Sequence, residues 1–206
     1  MEERFLYSNV WPLLAKKDQE IIDDCFRQEI EKSDQLAIAV GFFSYNSLKE
    51  LDRLITQKDI KNVCLILGMY CNNGFPKTLF QLALSINEKW QKAGIGEIRI
   101  THSFKYHGKL YCFLKNDQIF SAIIGSPNLS FLKAKQDQLF NQYEIALFTN
   151  NTDTLQKSLN HIKSLKSSDV SKNISSFGGF NLLSEDELYW KKTRKATKLK
   201  FPQNNS

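Results

Sequence analysis

The residues of this 206-residue chain best equipped for chemistry are a histidine and a lysine two places apart, His107 and Lys109, in the stretch HGKLYCFLK. On a strand alternate side chains share a face, so His107, Lys109, Tyr111 and Phe113 point one way and Gly108, Leu110, Cys112 and Leu114 the other. That presents an imidazole beside an ammonium. Gly108 between them removes a side chain where another backbone or a ligand must come close. The following strand ends in Gly125, Ser126, Pro127 and Asn128, so a hydroxyl and an amide stand at a strand end as neutral donors for phosphate oxygens, with Lys109 as the point charge. An isolated His/Lys pair is ordinarily an accident of an exposed strand. Followed by this glycine-serine-asparagine loop, it points to attack on a phosphate ester.

The elements that must position these groups can be read from periodicity. Residues 18–32 place Ile21, Ile22, Cys25, Phe26 and Ile30 near one helical face. The apolar run at 35–43 suits a buried strand, 44–46 a turn and cap, and 47–55 a helix. The step repeats with a strand at 62–69, a loop at 71–76 and a helix at 77–93 that stops at the glycines of 94–96. From residue 97 the pattern turns strand-rich: EIRIT, then 107–115 and 118–126 as a hairpin through Asn116 and Asp117. Residues 127–142 read as a loop with a short helix, 143–148 as a last core strand and 152–165 as a helix. The expected fold is an α/β sandwich, a mixed central sheet flanked by helices on both faces.

This places the catalytic domain at 1–165. Residues 166–206 read as a Ser/Gly-rich linker and a basic C-terminal segment, with six Lys or Arg in the ten residues 191–200. That segment is either a solvated tail or a strap for phosphates. The net charge of +6 and pI near 9.0 favour an anionic partner. Cys25, Cys64, Cys71 and Cys112 lack metal-ligand spacing and read as reduced core residues. The opening carries acids at positions 2 and 3, unlike a secretory signal, and no apolar run approaches the roughly 18 residues of a spanning helix. A cytoplasmic protein without membrane attachment is the expectation.

HGK at 107–109 and GSPN at 125–128 resemble the signature of the phospholipase D superfamily, HxK followed by GSxN, and NQYE at 141–144 resembles the N-x-x-E segment that follows it. Lipid-acting members carry an aspartate five residues after the lysine, where this chain has Leu114. The aspartate-free pattern is similar to the metal-independent restriction endonuclease branch. The resemblance implies double-stranded DNA as substrate, with no cofactor and no metal. The reaction of that superfamily needs two histidines and this chain has one HxK followed by GSxN: His102 precedes no lysine at two residues, and His161, with Lys163, sits in a predicted helix without GSxN; a homodimer with one shared active site follows. The roles implied are His107 as nucleophile in one copy and as acid and base in the other, with Lys109 and Asn128 on the nonbridging oxygens. Ser126 adds a hydroxyl, and Glu144 orients the imidazole. Gly125, Lys105, Tyr106, Lys133 and Lys135 are candidate substrate contacts; the lysines read equally as solvated surface. Phe42, Phe43 and Tyr45 could line the site or simply fill the core.

Restriction members also read sequence through a separate module, and the chain after its basic segment leaves little room for one. A catalytic fragment, a cutter of low specificity and a subunit guided by a DNA-recognition partner stay open. So do a superfamily enzyme acting on RNA, single-stranded DNA or lipid, and a noncatalytic phosphate-binding module, against which the intact HGK and GSPN set argues.

Overall fold

A computed structural model describes residues 1–132 and 142–184. In chain order it contains β1 (Glu3–Tyr7), β2 (Glu20–Ile21), α1 (Ile22–Lys32), β3 (Gln35–Val40), α2 (Tyr45–Gln57) and β4 (Lys61–Leu67). These are followed by α3 (Tyr70–Asn73), β5 (Phe75–Pro76), α4 (Lys77–Lys92), β6 (Gly96–Thr101), β7 (Lys109–Lys115) and β8 (Gln118–Gly125). Then come β9 (Ile145–Thr149), α5 (Thr152–Leu165), β10 (Ser171–Asn173), a 3-10 turn (Ile174–Ser176) and β11 (Leu182–Leu183). Nine strands form one mixed sheet in the order β10-β6-β4-β3-β7-β8-β9-β1-β2, and β11 pairs with β5 separately.

The continuous apolar runs become the central strands because both of their faces are covered. Leu36, Ile38 and Val40 of β3, Leu65 and Leu67 of β4, and Tyr111 and Phe113 of β7 face a core that includes Phe26 of α1, Leu51 of α2 and Trp90 of α4. The alternate residues Ala37, Ala39, Cys64, Ile66, Leu110 and Cys112 face a second core closed by Leu155, Ile162 and Leu165 of α5. Each fully buried large aliphatic or aromatic side chain adds about 1.5–3 kcal/mol of transfer free energy. Helices therefore flank both faces, as the sequence predicts.

Local signals set the joints. Ser44 Oγ accepts from Ser47 N–H at 3.2 Å and caps α2, and Asn151 Oδ1 accepts from Asp153 and Thr154 N–H, both at 3.1 Å, at the start of α5. Asn116 and Asp117 take positive φ angles of 51° and 62°, the left-handed pair that closes a two-residue hairpin between β7 and β8.

Four expectations need correction. The first helix does not span 18–32: β1 pairs antiparallel with β9 and parallel with the two-residue β2, and the helix starts at Ile22. Residues 71–76 are not a plain loop, since they carry most of α3 and the whole of β5. The stretch read as a linker supplies β10, which extends the sheet on β6 (Ser171↔Thr101, Asn173↔Arg99), and Ile174 is buried. Its polar side chains have partners in the fold: Arg99 donates to Ser171 Oγ at 2.9 Å, and Asn87 Nδ2 to Asn173 Oδ1 at 3.1 Å. Finally, β7 begins at Lys109, so His107 sits just ahead of the strand. The basic segment at 191–200, with Lys133, Lys135 and Asn141, lies outside the described residues. All four cysteines are free, and Cys25, Cys64 and Cys112 are buried. Among the described residues no helix is long and apolar enough to cross a membrane.

Candidate active site

Strand directions gather the candidate residues at one edge of the sheet. Val40, the last residue of β3, pairs with Lys109, the first of β7. Leu110 pairs with Ile124 one step before Gly125, and Gly125 pairs with Ala146 at the start of β9, two residues after Glu144. The C-terminal ends of β3 and β8 thus meet the N-terminal ends of β7 and β9. Residues far apart in sequence become neighbours there.

His107 is exposed and Lys109 is only 8% exposed. The Lys109 ammonium donates to the His107 carbonyl at 2.7 Å and stands 3.1 Å from Nδ1 and 3.3 Å from Nε2 of the same imidazole. A phosphodiester oxygen held by this ammonium brings its phosphorus within reach of the ring. Burial pushes the Lys109 pKa down, against the opposing charge of Glu144, which raises it. The site holds a partly desolvated cation and its carboxylate neighbour.

Asn128 is oriented by the backbone: Phe42 N–H donates to its Oδ1 at 3.0 Å, so that Nδ2, unbonded among the described residues, is the amide's donor group. The loop bearing Asn128 is held from below by Tyr111, whose fully buried hydroxyl donates to the Pro127 carbonyl at 2.8 Å. It is held laterally by main-chain bonds from Leu129 N–H to the Phe42 carbonyl (3.2 Å) and from Ser44 N–H to the Leu129 carbonyl (2.9 Å). Ser126 Oγ donates to Glu144 Oε2 and accepts from Ile145 N–H at 3.1 Å. Glu144 therefore meets Ser126, and acts on Lys109 through its charge; the imidazole is contacted by Lys109, not by Glu144 as the sequence reading expects.

Gly41, just past β3, lies under this group, where a Cβ would stand 3.2 Å from His107 Cδ2, 3.2 Å from Met69 Cγ and 3.4 Å from Asn128 Oδ1. Sequence reasoning passes over Gly41, because its importance arises only where three strands converge. Phe42 closes one side, its ring edge-on to the imidazole with centroids 6.3 Å apart. Phe43 is core and Tyr45 is exposed.

Lys105 is exposed, as a substrate contact requires. Tyr106 is not: it is 9% exposed, packs in the second core and has its ring 5.7 Å from that of His161. The close approach that Gly108 permits is that of Tyr106, since a Cβ there would lie 2.4 Å from the phenol oxygen. Tyr106 thus supports the HGK backbone from inside. His102 bonds the Ser168 carbonyl at 3.1 Å, and neither it nor His161 bonds to the residues at this edge.

A family model described as "NgoFVII restriction endonuclease N-terminal PLD domain" matches residues 19–177. Among solved structures, NucT from Helicobacter pylori superposes with a TM-score of 0.54 at 16% identity, covering 83% of this chain and 99% of NucT. Phosphatidylserine synthase from Haemophilus influenzae Rd KW20 gives 0.62 at 13% identity over 95% of this chain and 46% of that one, so this chain spans less than half of that protein. Polyphosphate kinase from Porphyromonas gingivalis gives 0.53 at 10% identity over 96% and 29%. At these identities the likeness to solved structures is one of fold. No curated protein sequence matches the chain.

Proposed function

This chain belongs to the NgoFVII restriction endonuclease PLD-domain family, and on that premise we propose that it is a metal-independent endonuclease that hydrolyses phosphodiester bonds of double-stranded DNA. The observation that carries the reading is the imidazole of His107 with the Lys109 ammonium 3.1 Å away, both beside an asparagine amide fixed by the backbone.

The reaction takes two steps. A ring nitrogen of His107 attacks phosphorus; the N–P bond forms as the P–O bond to the leaving nucleoside breaks. The leaving oxygen takes a proton from His107 of a second copy, since this sequence contains one HxK followed by GSxN. That imidazole, now neutral, removes a proton from water, whose oxygen displaces His107 and frees the phosphate end. Lys109 and the Asn128 amide hold the nonbridging oxygens, where charge concentrates in the transition state. Glu144 and Ser126 position the group: the carboxylate keeps Lys109 charged against the cost of its burial, and the serine fixes the carboxylate. Lys105, on the same approach, meets the DNA backbone, and Lys133 and Lys135 are assigned the same role. A recognition module or partner supplies sequence specificity.

Plasmid cleavage in excess EDTA, with wild type beside His107→Ala and with masses measured by light scattering, tests the proposal. A wild-type dimer that cuts and a dimeric variant that does not are expected. Activity that needs added divalent ion, or a monomer that cuts, would contradict it.

A further inference from the structure

One surface feature lies outside both the core and the site. Between β1 and β2 the chain projects the sequence SNVWPLLAKKDQ, residues 8–19, almost all of it ahead of the region that matches the family model. Trp11 is 82% exposed, and Leu13 and Leu14 are each more than half exposed. An indole so open to water is unusual in a soluble surface, because aromatic rings bury 150–250 Å² when they find a partner.

The loop is built rather than slack. Val10 N–H donates to the Leu13 carbonyl at 3.4 Å, Ala15 N–H to Asn9 Oδ1 at 3.1 Å and Lys16 N–H to Gln19 Oε1 at 3.0 Å. Its base is fixed to the site: Ser8 N–H donates to the Glu144 carbonyl at 3.1 Å, and Glu144 N–H donates to Ser8 Oγ at 3.0 Å. Because β1 runs antiparallel to β9, its C-terminal end emerges at the edge that carries His107, Lys109 and Asn128. The apolar tip is followed at once by Lys16 and Lys17, both exposed.

We infer that residues 8–19 form a substrate-docking element, in which the Trp11 indole stacks on or wedges between bases of the bound nucleic acid while Lys16 and Lys17 meet its phosphates. The inference rests on the proposed nuclease reading and extends it to how the substrate is gripped. Three inter-strand spacings separate β1 from β7, roughly 14 Å. Two lysines beside an apolar wedge match a partner that carries phosphates and stackable base faces together.

The test uses the full chain. In a His107→Ala background, Trp11→Ala is expected to weaken binding of a labelled oligonucleotide about tenfold or more, and Trp11→Phe, which keeps a stacking ring, to retain most of the affinity. With His107 intact, Trp11→Ala should hydrolyse the base-free diester bis(p-nitrophenyl) phosphate at the wild-type rate while losing kcat/KM on DNA. Unchanged DNA affinity in Trp11→Ala overturns the inference and leaves the nuclease reading standing. So does a shift from dimer to monomer in light scattering, which would make the loop a contact between copies. Equal losses on both substrates, not restored by Trp11→Phe, would also overturn it, since the loop would then act through Glu144. A wild type that neither binds DNA nor hydrolyses the diester defeats the nuclease reading itself.

Discussion

Replacing Gly41 by alanine adds one methyl group to the floor of the site and alters no catalytic group. The new carbon stands 3.2 Å from His107 Cδ2 and from Met69 Cγ, and 3.4 Å from Asn128 Oδ1. Ordinary carbon contacts lie near 3.5–4.0 Å, so the imidazole must yield by about 0.3–0.8 Å. Met69 is unbranched and adapts, but the imidazole is also bounded by the Phe42 ring. Misplacement by about 1 Å costs a reaction of this kind about a hundredfold, so the shift here should lower kcat about tenfold. The stability cost is that of mild overpacking, about 1 kcal/mol. Steady-state kinetics on a small diester, with thermal melts alongside, read both quantities. Gly178→Ala, where an added Cβ meets nothing within 4 Å, serves as the control and should match wild type. A Gly41→Ala enzyme with wild-type kcat would refute the claim that His107 and Asn128 share this floor.

Other expectations follow from the same contacts. Tyr111→Phe removes the donor to the Pro127 carbonyl; it should lower kcat through loosened placement of Asn128 and cost about 1 kcal/mol in a denaturant melt. Lys109→Met should abolish cleavage yet raise Tm at pH 7, because burial disfavours the lysine's charge in the native state. The native lysine loses its proton at lower pH than the unfolded one, so wild-type stability recovers relative to the variant in alkaline solution below about pH 10.5, and melts at pH 7 and 10 should show the gap closing. Glu50, pulled from 4.5 down to about 2 by hydrogen bonds from Arg53 and Arg27, ties α1 to α2. Glu50→Gln should cost about 2 kcal/mol at neutral pH. Because the native carboxylate is the one with the lower pKa, that cost should persist above pH 4.5 and fade as pH drops through about 2 in acid titrations.

How much of this was legible in the sequence depends on where each residue's partners lie. The strands β3 and β4 announce themselves as unbroken apolar runs because both faces are covered, and the β7–β8 hairpin does so through Asn116 and Asp117. The HGK and GSPN segments were readable because each is local. What escaped was set across the sheet. Edge strand β10 is Ser- and Asn-bearing because its stability comes from main-chain pairing with β6 and from Arg99 and Asn87, so composition alone reads as a linker. Strand β1 is an edge-proximal partner of β9, and the only sign of it in the sequence is an alternation too short to stand alone. Tyr106 looks like surface between Lys105 and His107, yet it turns inward because Gly108 leaves room for its ring. Gly41 and the Phe42 N–H carry no motif at all. The partner of Glu144, Ser126, is fixed by the meeting of β8 and β9, which no local stretch of sequence shows.

The central claim is that His107 becomes covalently bonded to phosphorus. Rapid acid-free quenching of the wild-type protein with a DNA duplex, followed by intact-mass spectrometry, tests it directly. The account predicts a transient protein species heavier by one cleaved strand, with the adduct mapping to His107 and absent from His107→Ala. DNA cleavage at the wild-type rate with no such adduct at any time point, or cleavage by His107→Ala, would contradict it.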